Sequence, residues 1–174
     1  MIAKLIATSV LQTIIIAALL LVPAGTPLWW RAWAYIAIIF VGTLAASIGI
    51  LKVNADLLRE RLKSPIQKEQ SLADKILLPA TIAAFVGLLV LIPLDVFRLH
   101  LLAKPSGVVS SLGLAIFIAG WCFAYLGMRE DAFATPVVKY QSDRHHTVVM
   151  TGPYRFVRHP MYAGGLLVFV GTPL

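Results

Sequence analysis

An all-α bundle of membrane-spanning helices is the fold class this sequence predicts, and three observations carry the prediction. Of its 174 residues, 59% are hydrophobic and only 13% are charged, against the roughly 45–50% apolar share of an ordinary soluble domain. The apolar residues gather in runs that approach or reach the roughly 17–25 residues a helix needs to cross the hydrocarbon. A chain in lipid must also satisfy its own backbone hydrogen bonds, and barrel strands would alternate over about 9–11 positions instead of staying apolar throughout.

The runs are Leu5–Val22, Trp29–Leu51, Ile76–Ile92 and Val108–Met128. The first follows Lys4 and is longer than the apolar core of a cleaved leader, and "LVPAGTP" offers no A-x-A cleavage site, so it reads as a retained helix. The second opens on Trp29, Trp30 and Trp33, which read as an interfacial aromatic belt. Within it, Gly42 with Ala46 and Ala45 with Gly49 stand four apart, a spacing that lets helix backbones approach. The fourth contains Cys122, the one cysteine, which reads as a small buried hydrophobe and rules out a disulfide framework within one chain. A fifth run opens at Met161 and reaches Leu174; about 14 residues at about 1.5 Å each fall short of a full crossing.

Between the second and third runs, "KVNADLLRERLKSPIQKEQSLADK" predicts a short helix along the membrane surface, with Leu57, Leu58 and Leu62 as its buried stripe and Arg59, Arg61 and Lys63 outside. The chain is therefore expected to be one membrane domain. Residues 1–54 hold two helices, 55–128 the amphipathic loop and two more, and 129–174 a polar motif with the start of a fifth.

The net charge of +7 needs no nucleic acid to explain it, because basic residues collect in cytoplasmic loops. Twelve of the fifteen Lys and Arg residues fall on one side: Lys4, six in the 52–75 loop, and Arg129, Lys139, Arg144, Arg155 and Arg158. Arg31, Arg98 and Lys104 fall on the other. The N-terminus, the 52–75 loop and the 129–160 segment are thus expected to face the cytoplasm.

Chemistry-bearing residues concentrate between Arg129 and Tyr162, where polar groups at membrane depth mark a functional site. In "TGPYRFVRHPMYAGG", Gly152-Pro153 is a turn pair, and the proline after His159 holds that residue out of the helical region. Pro160 suits the first position of a helix, whose opening amides and dipole favour an anion. Arg155 and Arg158 are candidates to hold a carboxylate or phosphate, or alternatively to mark the membrane boundary. Tyr154, Phe156 and Tyr162 offer flat faces to a ring or a cation. Adjacent His145 and His146 lack a carboxylate pair and make a poor metal site.

The combination "GPYRFVRHPMYAG", preceded by "HTVV" at His146–Val149, closely resembles the isoprenylcysteine carboxyl methyltransferase family of membrane enzymes, which is itself similar to the phospholipid N-methyltransferases. "ADLLRERLKSP" and "DKILLP" resemble the loop and helix opening of bacterial members. The resemblance implies S-adenosylmethionine as methyl donor, with cofactor contacts on His146, Thr147, Val148, Val149, Tyr154, His159, Pro160, Met161 and Tyr162. It implies a lipid-like acceptor such as a prenylcysteine carboxylate, with Arg155 and Arg158 as candidate substrate contacts, and a bacterial inner-membrane location with the cofactor site cytoplasmic.

Lys139 departs from the family, standing near where relatives place a polar amide. Family members continue into a second motif, with an arginine that meets the acceptor and a glutamate that closes the pocket. No acidic residue follows Asp143 and no basic one follows His159, so both are expected beyond residue 174. Three other readings stay open: phospholipid N-methylation, an NADPH-dependent enzyme resembling the sterol reductases, and a noncatalytic membrane protein that retains the pocket. Oligomeric state is not legible.

Overall fold

The computed structural model describes residues 2–62, 72–131 and 149–172. Every regular element in them is helical: α1 (Ile2–Ala24), α2 (Trp30–Val53), α3 (Ala55–Arg61), α4 (Leu72–Leu94), α5 (Gly107–Glu130) and α6 (Pro160–Gly171). A π turn, Asp95–Leu99, extends α4, and a 3-10 turn, Gly152–Arg155, precedes α6. Helices α1, α2, α4 with its π turn, and α5 are long and apolar enough to cross a membrane, whereas α6 is a shorter apolar helix. The chain is a multi-pass integral membrane protein: the first, third and fourth predicted runs lie within α1, α4 and α5, which start one to four residues earlier, while the second starts at Trp29, the residue before α2.

Local chemistry sets the boundaries. Asn54 takes an extended conformation after α2, and its Oδ1 accepts the Leu57 amide at 3.0 Å, capping α3. Ser106 Oγ accepts the Val109 amide at 3.3 Å and caps α5. In the same connection between α4 and α5, Asp95 Oδ1 accepts the Leu101 amide at 2.7 Å and ties down the chain leaving the π turn. His100 there adopts φ 52°. Trp29 stacks edge-on against Phe97, and the Trp33 indole donates to the Pro27 carbonyl at 2.7 Å. Trp30 is exposed with Arg31 over its ring, an arrangement suited to a membrane interface.

Two apolar clusters hold the helices together. Toward the end that carries Trp29, Ile16 and Leu20 of α1 meet Ala32, Ile36 and Ile39 of α2, Leu89 of α4 and Phe117 of α5. At the other end, here called the motif end, Leu5, Ile50 and Met128 meet Leu57 and Leu58 of α3, with Met161 packed against them. Leu57 and Leu58 are 2% and 3% exposed, so the expected amphipathic segment buries its leucines in protein and not in lipid. Arg59 stays outside and pairs with Asp56 at 2.7 Å, while Lys63 and the Arg61 side chain lie outside what is described. Helix α4 joins the bundle chiefly through Phe85 and Leu89, and its apolar residues Leu72, Ile76, Leu77 and Ile82, toward the motif end, are exposed.

The most intimate pairing is antiparallel, between α5 and α6. A Cβ added at Gly120 would lie 2.7 Å from the Gly164 carbonyl oxygen, one at Gly164 would lie 2.6 Å from the Gly120 oxygen, and one at Gly171 would lie 2.6 Å from the Gly113 oxygen. Lipid tails are as apolar as leucine, so helices associate here by close van der Waals packing, which small residues permit. The expected small residues of α2 behave differently: Gly49 receives the Tyr125 ring and Gly42 faces the Trp121 ring, so they accept aromatic side chains, not a backbone. Cys122 corrects another expectation. It is exposed, because two positions on from Gly120 a side chain points about 200° away from the glycine seam.

Candidate functional site

The site is built on the end of the α5–α6 pair. Seating α6 against α5 brings Pro160 onto Gly127, where a Cβ would lie 2.9 Å from the Pro160 Cγ and 3.5 Å from the Met161 Cγ. Pro160 is buried at the first position of α6, its fixed φ suited to a helix start. His159 before it has φ −131° and ψ 69°, outside the helical region as a pre-proline residue should be. The α6 opening offers fewer free amides than an ordinary helix, since Pro160 has none and those of Tyr162 and Ala163 both reach the His159 carbonyl at 3.1 Å. The Met161 N–H is the first-turn donor left over.

Upstream, Gly152 takes φ 55°, a region that disfavours a side chain. It opens the 3-10 turn that carries Pro153, Tyr154 and Arg155. The Tyr154 hydroxyl donates to Asp131 Oδ2 at 3.3 Å. Burial, then the charge of Asp131 and the hydrogen bond to it, push the Tyr154 phenol up to about 12, so it stays protonated and a donor at any physiological pH. The Thr151 hydroxyl donates to Glu130 Oε2 at 2.7 Å.

Tyr154, His159, Pro160, Met161 and Tyr162 are thereby brought to one end of the bundle. Met161 is half-buried against the motif-end cluster of Leu5, Ile50, Leu57, Leu58 and Met128. Tyr162 is 70% exposed, and its ring lies 5.6 Å from that of His159 with 33° between the planes. Arg155 and Arg158 are exposed and make no ion pair with another described residue. Val149 is half-buried at the edge of the described chain. His146, Thr147 and Val148, together with Lys139, lie outside the described residues.

Two acids at the end of α5, Glu130 and Asp131, escaped the sequence reading although they hold the motif turn. Their signal was weak, since 21 and 23 residues separate them from their partners. The glycine seam was legible in principle: Gly113, Gly120 and Gly127 recur every seven residues, as do Gly164 and Gly171, a spacing that keeps one helix face toward a partner.

Residues 108–174, which span α5, the motif turn and α6, match the family described as phospholipid methyltransferase. No curated protein and no solved structure matches the chain. The matched region is the one whose backbone packing and hydrogen bonds form the candidate site, and over residues 108–174 the chain is similar to the phospholipid methyltransferase family.

Proposed function

We propose that the protein uses S-adenosylmethionine to methylate a lipid-borne acceptor, a prenylcysteine-type carboxylate, at a site facing the cytoplasm of a bacterial inner membrane. The observation that carries this reading is the coincidence of the family match over residues 108–174 with the gathering of Tyr154, His159, Met161 and Tyr162 at one end of the α5–α6 pair. The groups present suit such a donor. The Tyr162 and His159 rings offer flat faces to an adenine or a sulfonium, and Arg155 and Arg158 are exposed and suited to a carboxylate. When bound, the donor supplies an electrophilic methyl group and leaves as a neutral thioether. The chain's task is then to orient donor and acceptor and exclude water, which supplies most of the acceleration in a displacement of this kind.

A carboxylate acceptor arrives ready to react, whereas a phospholipid amine must first lose a proton. One feature favours that second reading: His159, an exposed imidazole beside Tyr162, is a base in the motif. Supplying both acceptors separates the two. Carboxyl methylation should survive His159→Gln with little loss in kcat at saturating donor, while amine methylation should fall by about 100-fold or more, the low end of what a general base contributes.

The donor assignment is tested by calorimetry on the purified chain in detergent. S-adenosylmethionine and its demethylated product should bind and NADPH should not, and His159→Ala and Tyr162→Ala should each weaken donor binding while leaving thermal unfolding unchanged. Binding of NADPH alone would overturn the reading in favour of a reductase.

A further inference from the structure

Helix α5 ends in an unusual way. Its last residue is Glu130 and its C-cap is Asp131, two acids at the helix end where the backbone dipole favours cations. Each nevertheless has a partner beyond residue 148. Glu130 Oε2 accepts the Thr151 hydroxyl at 2.7 Å, and Asp131 Oδ2 accepts the Tyr154 hydroxyl at 3.3 Å. Between these partners sits Gly152 with φ 55°, and a Cβ there would lie 2.7 Å from the Glu130 Cγ. The glutamate arm therefore lies across the bare side of Gly152, and glycine is what lets the turn come this close.

We propose that Glu130 and Asp131 are positioning residues: a two-carboxylate clamp that fastens the turn bearing Tyr154 to the end of α5, fixing the Tyr154 ring relative to His159 and Tyr162 on α6. The geometry supports this in two ways. Both acids grip the same five-residue stretch from residues 151 to 155, so they restrain its height and its rotation together. The Tyr154 hydroxyl, committed to Asp131, leaves the ring as the part of that side chain available to a ligand. The perturbed phenol is in keeping with the second contact, Asp131 being among the groups that raise it. The consequence for ligand affinity rests on the methyl-donor reading above; the clamp itself does not.

The experiment has two arms on the full chain in detergent. Without ligand, the tyrosine absorbance titration of wild type minus Tyr154→Phe isolates Tyr154, which should titrate near 12 and move downward in Asp131→Asn. A Tyr154 that titrates at the ordinary value, or one that Asp131→Asn leaves unmoved, overturns the Asp131 half. With S-adenosylhomocysteine, Thr151→Val and Glu130→Ala should each weaken binding about tenfold, the equivalent of one charge-assisted hydrogen bond. The double variant should lose no more than either single, and Thr151→Ser should retain wild-type affinity. Additive losses, or unchanged affinity in both singles, overturn the Glu130 half. If wild type binds no donor at all, the proposed function fails, and the clamp stands or falls on the tyrosine titration and on whether Glu130→Ala and Thr151→Val change thermal unfolding additively.

Discussion

Tyr154 shows how one residue's setting becomes a measurable property. Its phenol is raised from 10.0 to about 12, first by burial and then by Asp131, so the folded chain holds that proton more tightly than the unfolded one. The stability this contributes is complete below about pH 10 and is lost as the pH rises from 10 through 12. The difference in thermal stability between wild type and Tyr154→Phe should accordingly stay constant from pH 7 to 9 and shrink only above 10; a difference already shrinking at pH 8 would refute the assignment. At the same scale, the sequence identified Tyr154, His159, Pro160, Met161 and Tyr162 as one constellation because turn and proline chemistry act within a few residues. It did not reveal Glu130 or Asp131, whose partners lie more than 20 residues away and depend on how α5 and the turn dock.

Among the helices, the α5–α6 pair determines where the site stands. Gly120 and Gly164 face each other's carbonyl oxygens at distances that no side chain fits, whereas Gly165, one residue on, has open space around it. Gly164→Val should therefore destabilise the fold by about 1–3 kcal/mol through overpacking and lower ligand affinity with it, while Gly165→Ala should change either by less than about 0.5 kcal/mol. Denaturation in mixed detergent micelles would measure both, and equal losses at the two positions would remove the seam from the argument. The seven-residue glycine spacing was present in the sequence, but small residues recur in many membrane helices, as Gly42 and Gly49 show by receiving aromatic rings. Which small residue meets a backbone depends on the partner helix. The same holds for α3, whose amphipathic pattern predicted a helix correctly, yet whose leucines lie against Leu5, Ile50 and Met128.

For the molecule as a whole, basic-residue asymmetry and helix packing describe the same two ends. Lys4, Lys52, Arg129 and Arg155 belong to segments that meet around the motif-end cluster, while Arg98 lies near Gly25 at the other end. With Cys122→Ala as background, Lys104→Cys should react with a membrane-impermeant maleimide in intact cells, and Lys52→Cys only after the membrane is opened; the reverse pattern would place the site outside the cytoplasm. The sequence by itself determined the helical class, the four crossings, the separation of charge and the local shape of the motif. Each of these follows from composition or from interactions within a few residues, and the cost of an unsatisfied backbone in lipid leaves little alternative. Only the tertiary structure decided that α6 lies against α5 along Gly113, Gly120 and Gly127, that Met161 packs on a cluster to which α3 contributes Leu57 and Leu58, and that two acids at the end of α5 bond to the Tyr154 turn. Those contacts join residues far apart in the chain through shape and hydrogen-bond geometry, which hydropathy and spacing do not encode.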